Sequence, residues 1–494
     1  MHHAARISRR FLILLLISLA PMLASAAELR TTLETATIYN SNIYSLNETD
    51  QVDDLIVRLG PEFDLRNDSE QRFDYRLNYR GWYEWYTKET DASDFQHRQR
   101  LRLGYDLTPR TRLSFDQRYR RVSNLQFDRD DFQAGATGQD ITQNKYHRND
   151  MSLDLEHQIG RRWTFNAILD HQIVDFDNNN SRSDSDSLAL TGSLAYTLSE
   201  RHDLGIGLRI ANQDFHSSPS RLAAESDYVG LLLLWNFRIT NRVELRFEGG
   251  PTRVETEQKA QEFADAPSDV GVRFQDDLFR ANFNACTPGD GQTQPIASNC
   301  VYNNPLAPPI PADDLGEVMA YPLDFTDVDL KDDSNELFAR LSLSVGLSDW
   351  RVEAGLGRRP SAISGQSLAN IIDELTLSLD YEPAGSRWVT YGEVRFEQRE
   401  ALTRALEIDY TLLSGEENAA LRDDAFLNES GRRGDQDSYA FLVGGRYAFN
   451  RHLFGSLEGR YRIVERVSNA TGSTDSDTFI IELALRYEFS PERF

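Results

Sequence analysis

Residues 72–85 read RFDYRLNYRGWYEW, and apolar and polar side chains alternate along this stretch with a period of two. The odd positions from Phe73 to Trp85 are aromatic, leucine or glycine, whereas most even positions are charged or amide side chains. Successive side chains of a β-strand point to opposite faces, so the pattern predicts a strand with one apolar and one charged face. The stretch exceeds ten residues, which is about double the length of an ordinary strand.

The same alternation recurs along the chain and returns in its last segment. There Phe479, Leu483 and Phe489 share one parity, while Glu482 and Arg486 take the other. About ten tilted residues are what a strand needs to cross a bilayer. The segments that satisfy the pattern are approximately 29–39, 54–66, 71–86, 95–107, 111–122, 147–159, 162–175, 186–198, 203–212, 228–239, 242–254, 335–347, 350–358, 373–382, 387–397, 437–449, 452–464 and 478–489.

The connections between these segments alternate in length. Every even-numbered segment is followed by a short turn, such as Thr108-Pro109-Arg110 or Asn450-Arg451, and odd-numbered segments are followed by longer stretches. A meander with periplasmic turns and external loops produces this alternation, whereas a sandwich or propeller does not. Strands in hydrocarbon must also close on themselves, because an open edge leaves N–H and C=O groups unpaired. The sequence therefore predicts an all-β fold, a closed antiparallel up-and-down transmembrane β-barrel of about eighteen strands, with sixteen as the alternative count.

The first residues differ from the rest of the chain. Residues 1–26 combine a basic start, an apolar run from Phe11 to Ala20 and the small residues Ala24-Ser25-Ala26, a combination typical of a Sec signal peptide. We therefore expect a signal peptide at 1–26, a barrel at 27–489 and a periplasmic tail at 490–494. The expected location is the cell outer membrane, among its lipids and lipopolysaccharide.

Composition excludes other classes of protein. The 494 residues carry a formal net charge of −25, and only 40% of them are hydrophobic. Such acidity argues against a nucleic-acid partner, because neutralising phosphates requires a basic surface. The sequence also lacks an apolar run long enough for a transmembrane helix after residue 26.

The tryptophans lie near the ends of predicted strands. Aromatic girdles of membrane barrels occupy these positions, at the two membrane interfaces. The alternative is that tryptophan simply favours strands. The girdle candidates are Trp82, Trp85, Trp163, Trp235, Trp350 and Trp388.

The chain resembles bacterial outer-membrane β-barrels and, more narrowly, the β-barrel porin group that accompanies exopolysaccharide and exosortase gene systems. This resemblance rests on the motif Tyr39-Asn40-Ser41-Asn42-Ile43-Tyr44, on long acidic-polar loops and on the terminal segment Leu485-Arg486-Tyr487-Glu488-Phe489. It implies a C-terminal signal for the outer-membrane insertion machinery. The candidates for that signal are Leu485, Tyr487, Phe489 and Phe494, with Pro491 interrupting the pattern before the last of them.

Arginines outnumber acids at the inward parity of the third to fifth segments. An eighteen-stranded barrel encloses an aqueous interior, so inward side chains should determine selectivity. Repeated guanidinium groups offer weak bidentate sites for carboxylates or phosphates, which predicts a conduit for anionic solutes such as an acidic exopolysaccharide. The alternative is that the arginines form cross-strand salt bridges and fill space. The candidates are Arg72, Arg76, Arg80, Arg98, Arg100, Arg102, Arg112, Arg118 and Arg120.

The longest predicted loop covers residues 255–333 and is strongly acidic. We expect it to act as a plug or lid, since loops of this length are uncommon unless functional or disordered. It contains both cysteines, Cys286 and Cys300, and an oxidising export route favours a disulfide between them over two free thiols. Asp324, Asp327 and Asp329 could bind Ca²⁺, but a solvated charge run is the preferred interpretation, because the glycine and distal glutamate of an EF-hand are missing.

Motifs of catalysis and of cofactor binding are missing from the sequence, among them G-x-S-x-G, H-E-x-x-H and the P-loop. We predict neither an enzyme nor a cofactor. Three roles stay open: a transport conduit, a structural or surface-binding barrel whose loops bind polysaccharide or protein partners without conducting, and, as the least favoured, an enzyme.

Overall fold

The computed structural model describes residues 27–43, 51–67, 72–123, 145–177, 184–216, 223–263, 273–274, 325–361, 370–401, 436–468 and 472–493. Within these ranges, eighteen long strands form one antiparallel sheet. The strands are β1 (Ala27–Asn40), β2 (Asp54–Asn67), β3 (Phe73–Tyr86), β4 (Asp94–Thr108), β5 (Thr111–Ser123), β6 (Lys145–Gln158), β7 (Trp163–Phe176), β8 (Ser185–Thr197), β9 (His202–Phe215), β10 (Ala224–Thr240), β11 (Val243–Phe263), β12 (Phe325–Gly346), β13 (Trp350–Ser361), β14 (Asn370–Tyr381), β15 (Trp388–Ala401), β16 (Gln436–Ala448), β17 (Leu453–Ser468) and β18 (Gly472–Glu488).

The sheet closes into a barrel through its first and last strands. Each strand pairs with the next, and β1 also pairs with β18, so that Thr32 lies opposite Glu488 and Asn40 opposite Ile480. All eighteen predicted segments correspond to these strands, and the predicted up-and-down barrel is confirmed. Closure leaves no open edge on the sheet.

Two further strands of two residues extend the pairing. Arg273–Phe274 pair with β11, and Glu492–Arg493 pair with Glu28 and Leu29 of β1. Two residues of the expected tail at 490–494 therefore pair with β1.

The end of the barrel that carries the longer connections is called the loop end. At this end the strands are longer than the sequence predicts. β11 continues to Phe263 and β12 begins at Phe325, so both ends of the expected 255–333 loop are paired strand. The connection between β17 and β18 is only residues 469–471, so the alternation of connection lengths fails there. The opposite end, with its short turns, is called the turn end.

The outward face carries an apolar band. Ile206 and Val443 are each 67% exposed, and Leu231 and Leu483 are similarly open. On the same strands Arg209 of β9 and Glu482 of β18 have the opposite parity to these apolar residues and face inward, which reverses the arrangement of a water-soluble protein. A continuous apolar belt of this kind marks a surface that contacts something other than water.

The chain ends meet over a small apolar core inside the barrel. Ile38, Ile56, Tyr86 and Ile480 pack together with Ile43, which follows β1. At the seam, where β1 pairs with β18, the N–H of Ser41 from the Tyr39–Tyr44 motif donates to the Phe479 carbonyl oxygen at 2.9 Å. This core fixes the loop end of the seam.

Helical structure is slight in the part of the chain that the structure describes. Thr90–Ala92 form one turn of 3-10 helix in the connection between β3 and β4. Across the described residues, no helix is long and apolar enough to span a membrane.

Candidate anion site in the barrel lumen

The strand register brings arginines of four adjacent strands directly opposite one another. Arg80 of β3 lies opposite Arg98 of β4. Arg98 in turn lies opposite Arg120 of β5, and Arg120 lies opposite Arg148 of β6. Like charges in directly opposed positions destabilise a sheet, so this arginine row is a concentration of positive charge that folding alone does not favour. Arg148 is not among the candidates predicted from the sequence, although it shares the inward parity of its strand.

A second arrangement lies closer to the turn end. Asp116 of β5 accepts hydrogen bonds from Arg100 Nη2 at 2.7 Å, Arg102 Nε at 3.1 Å and Arg118 Nε at 3.1 Å. We call Arg100, Arg102 and Arg118 the three-arginine cluster. Their side chains stay 34%, 44% and 58% exposed, respectively. These guanidinium groups are thus accessible from the barrel interior.

Other candidate arginines also have carboxylate partners. Arg76 Nε lies 2.7 Å from Asp64 Oδ1, and Arg80 pairs with Glu34. Arg112 pairs with Asp74 and with Asp106. Salt bridging, the alternative interpretation of these arginines, therefore describes their local contacts. Even with these salt bridges, arginines outnumber carboxylates on the inward face of β3 to β5.

Arg72 differs from the other candidates. It lies just before β3, and its carbonyl oxygen accepts a hydrogen bond from the Asp106 N–H at 2.8 Å. Arg72 therefore lies at the turn end of the wall and is not part of the arginine row.

Trp82 was assigned to the interface girdle, and the structure corrects this assignment. The side chain is 4% exposed, and its Nε1 donates to Glu84 Oε1 at 2.9 Å. The guanidinium carbons of Arg58, Arg80 and Arg98 lie 5.6, 5.4 and 5.5 Å from the centre of its ring, respectively. This is within the range of cation–π attraction. The physical reason is parity: Trp82 shares the inward face of β3 with Arg80 and Glu84.

Glu84 anchors this group of side chains. It is fully buried, at 0% exposed, and accepts hydrogen bonds from Arg58 Nε at 3.0 Å and from Gln96 Nε2. A buried carboxylate is tolerated where donors surround it. The Trp82 ring and Glu84 together hold several guanidinium groups near one another at the loop end of the arginine row.

A contrasting set of charged side chains lies on β14, β15, β17 and β18. Arg395 lies 3.1 Å from Glu374 and 3.4 Å from Glu397, and Glu397 is fully buried. Arg460 contacts Glu482 at 3.0 Å and also Glu458. Each of these two arginines contacts two carboxylates, so this set does not present the directly opposed arginines found on β3 to β6.

The other five tryptophans face outward near strand ends. Three of them are the first residue of a strand that follows a short turn, and each packs against a tyrosine of a neighbouring strand. Ring-centre distances for these pairs are 4.7 Å for Trp163–Tyr196, 4.2 Å for Trp350–Tyr381 and 4.5 Å for Trp388–Tyr447. Trp235 stacks on Phe237 towards the turn end, and Trp85 packs on Tyr83 at the loop end.

The candidate insertion signal also faces outward. Leu485, Tyr487 and Phe489 are exposed side chains of the last strand and the residue after it, and the Phe489 N–H donates to the Thr31 carbonyl oxygen at 3.0 Å. Phe494 lies outside the described residues.

The remaining site predictions lie in or beside the longest connection. Cys286, Cys300 and Asp324 lie outside the described residues, and Asp327 and Asp329 belong to β12. In the part of the chain that is described, histidine, cysteine and carboxylate side chains form no group of three that could bind a metal ion. The disulfide and the calcium site stay predictions.

Comparisons with known proteins show similarity of structure and not of sequence. No family model and no curated protein sequence matches the chain. The ferric-catecholate import receptor Fiu from E. coli K12 is 8% identical, with a TM-score of 0.42 over 93% of this chain and 81% of that one. OpdQ from Pseudomonas aeruginosa is 9% identical, with a TM-score of 0.38 over 94% of this chain and 98% of that one. OprD from the same organism is 8% identical, with a TM-score of 0.36 over 94% and 97% of the two chains. The assignment as a barrel rests on the strand pairing described above.

Proposed function

We propose that this chain is an outer-membrane channel that passes anionic solutes through an arginine-lined lumen. The observation that carries the proposal is the arginine row together with the three-arginine cluster, on one stretch of inner wall from β3 to β6. Fixed positive charge along a water-filled pore attracts anions and repels cations.

The outward face supports a membrane location. The belt of exposed leucine, isoleucine and valine suits hydrocarbon, and the tryptophan–tyrosine pairs at the turn end suit a membrane interface. In this proposal residues 1–26 direct Sec export, the turn end faces the periplasm and the loop end faces outward among lipopolysaccharide. Leu485, Tyr487 and Phe489 would then be read by the outer-membrane insertion machinery.

The ion pairs on this wall suit passage better than permanent binding. The guanidinium groups that contact Asp116 and Asp64 are about one-third to three-fifths exposed. Ion pairs in such exposed settings are worth only about 0.2–1 kcal/mol, so each can exchange for a solute. An acidic exopolysaccharide, with a repeating carboxylate, fits a series of such exchangeable sites, and the resemblance to barrels of polysaccharide systems supports this substrate.

Reversal potentials in planar bilayers test the proposal. Refolded protein in a potassium chloride gradient should give a potential of the sign that chloride selectivity produces. The double variant Arg102→Gln/Arg118→Gln should lose much of that selectivity. Arg209→Gln removes an inward arginine of β9, away from the cluster, and is the matched control. Cation selectivity, or the absence of any conductance, would overturn the channel.

A second candidate function is a structural or surface-binding barrel that binds polysaccharide or partners without conducting. One observation favours it: Ile43, just after β1, is fully buried, and Val52 and Ala92 pack against the same apolar core at the loop end. Polysaccharide binding to vesicles that show no conductance would support this candidate over the channel.

A further inference from the structure

We infer that the three-arginine cluster is a binding site for a carboxylate or phosphate group, and that Asp116 is its built-in counter-ion, which an entering anion displaces. This inference deepens the proposed function and rests on it, because it names the chemical group for which that wall is built.

The geometry of the contacts indicates an anion site. Both oxygens of Asp116 are used: Oδ2 accepts from Arg100 and Arg102, and Oδ1 accepts from Arg118. Three guanidinium groups from two strands thus converge on one carboxylate. This is the arrangement by which arginines recognise a free carboxylate or phosphate, with charge-assisted hydrogen bonds to more than one oxygen.

The charge balance explains why a resident carboxylate is present. Arg100 lies directly opposite Arg118, and Asp116 lies opposite Arg102, so three positive charges surround one negative charge. Without Asp116 the opposed arginines would repel each other, and a bound anion would be held too tightly to leave. Conduction requires a site that binds well enough to attract a solute and weakly enough to release it.

Exposure makes the displacement physically reasonable. The Asp116 side chain is 28% exposed, and each of the three arginines is more exposed than that. Water and solute can therefore reach both sides of each ion pair. Because Asp116 carries one charge, an anion with two charges competes with it better than an anion with one, which predicts preference for doubly charged groups.

Phosphate titration of variants tests the inference directly. The full-length refolded barrel would be titrated calorimetrically with inorganic phosphate, comparing the parent protein with Asp116→Asn. Removal of the competing carboxylate should tighten phosphate binding by about tenfold, because phosphate then no longer has to displace several weak ion pairs. Asp154→Asn is the matched control. Asp154 lies opposite Ser114 on the neighbouring strand, and its Oδ1 has no hydrogen-bond partner among the described residues, so this change removes one nearby lumen charge without removing a contact of the cluster.

Two results would overturn the inference. One is unchanged phosphate affinity in Asp116→Asn, and the other is an equal gain in Asp154→Asn, which would indicate a general charge effect. Arg118→Gln changes the most exposed arginine of the cluster and should weaken phosphate binding several-fold, so it provides a second test if Asp116→Asn folds poorly. Unchanged affinity in that variant also counts against the inference.

The same proteins in bilayers separate this inference from the channel proposal. Chloride selectivity together with identical phosphate binding by Asp116→Asn and Asp154→Asn would leave the channel standing and remove the built-in counter-ion. Cation selectivity together with tighter phosphate binding by Asp116→Asn alone would overturn the channel proposal and leave Asp116 as the built-in counter-ion of an anion site.

Discussion

Arg58 of β2 and Glu482 of β18 contact each other across the intervening strand β1, with 3.5 Å between Arg58 Nη1 and Glu482 Oε1. At this crossing β1 presents Ala36 opposite Arg58 and Ile38 opposite Glu482. These side chains carry no charge, and Ala36 is small, so the ion pair can pass over them. The same guanidinium donates to Glu84 of β3, so one arginine connects three strands around the seam where the barrel closes.

Arg58→Gln should therefore destabilise the barrel strongly. The change leaves the fully buried Glu84 without its guanidinium donor, and breaking a buried ion pair from one side costs about 3–5 kcal/mol. Urea unfolding in lipid vesicles, followed by tryptophan fluorescence, would measure the loss. Arg66→Gln, which removes a more exposed pair with Glu28, should cost far less.

The double variant Arg58→Gln/Glu84→Gln provides the decisive comparison. It should recover part of the lost stability, because no charge is then left buried alone. Equal destabilisation by Arg58→Gln and Arg66→Gln would contradict the importance of this contact for closure.

Gly60→Ala should destabilise the wall between β2 and β3. A methyl group there would overlap the Gly81 carbonyl oxygen and the backbone and Cβ of Trp82. Pairing between these strands is interrupted at Gly60 and Pro61, which is consistent with this close approach. Overpacking of this kind costs about 1–3 kcal/mol. Gly192→Ala is the matched control, since its added carbon would meet nothing within 4 Å. Similar unfolding midpoints for the two variants would show that Trp82 does not require the glycine.

Asp54→Ala should release the connection between β3 and β4. The Asp54 carboxylate is fully buried and accepts hydrogen bonds from the N–H groups of Thr87 at 3.0 Å, Lys88 at 3.1 Å and Glu89 at 2.9 Å. Lys88 follows directly in this connection, so trypsin can report on it. We expect faster cleavage after Lys88 in the variant, measured by mass spectrometry of vesicle-bound protein.

The control for this experiment is Asp53→Ala. The Asp53 carboxylate accepts a hydrogen bond from Lys88 Nζ at 2.6 Å and thereby raises the pKa of Lys88, but it does not hold the backbone of the connection. Its removal should leave the cleavage rate nearly unchanged. Equal rates for both variants would mean that Asp54 does not order this segment.

The sequence could predict the strands because the alternation of side chains is itself the physical requirement of a two-faced wall. It could not predict where strands end at the loop end. From Glu255 to Phe263 both faces of β11 are largely polar, so alternation carries no signal although the pairing with β12 continues. The short connection at 469–471 was missed for the same reason.

The contacts of the arginines depend on register, which one sequence does not specify. Arg58 meets Glu482 only because the chain ends pair with a particular offset, and Asp116 meets Arg102 only because the turn at Thr108 sets the stagger of β4 against β5. The inward position of Trp82, by contrast, could have been predicted from the sequence. Trp82 lies near a strand end, which favours the girdle, but its even position gives it the same parity as Arg80 and Glu84.

The position of Trp82 gives a last test, which separates inward from outward tryptophans. Single-tryptophan barrels would retain Trp82 or Trp388, with phenylalanine at the other five positions, in vesicles whose acyl chains carry bromine. Bromine quenches only indoles close to the acyl chains, so Trp388, 57% exposed on the outer face, should be quenched several-fold more than Trp82. A barrel that retains only Trp163 should behave like Trp388, because it occupies the same position after a short turn. Equal quenching of Trp82 and Trp388 would mean that Trp82 faces lipid, and the group of arginines around its ring would then lose its organising side chain.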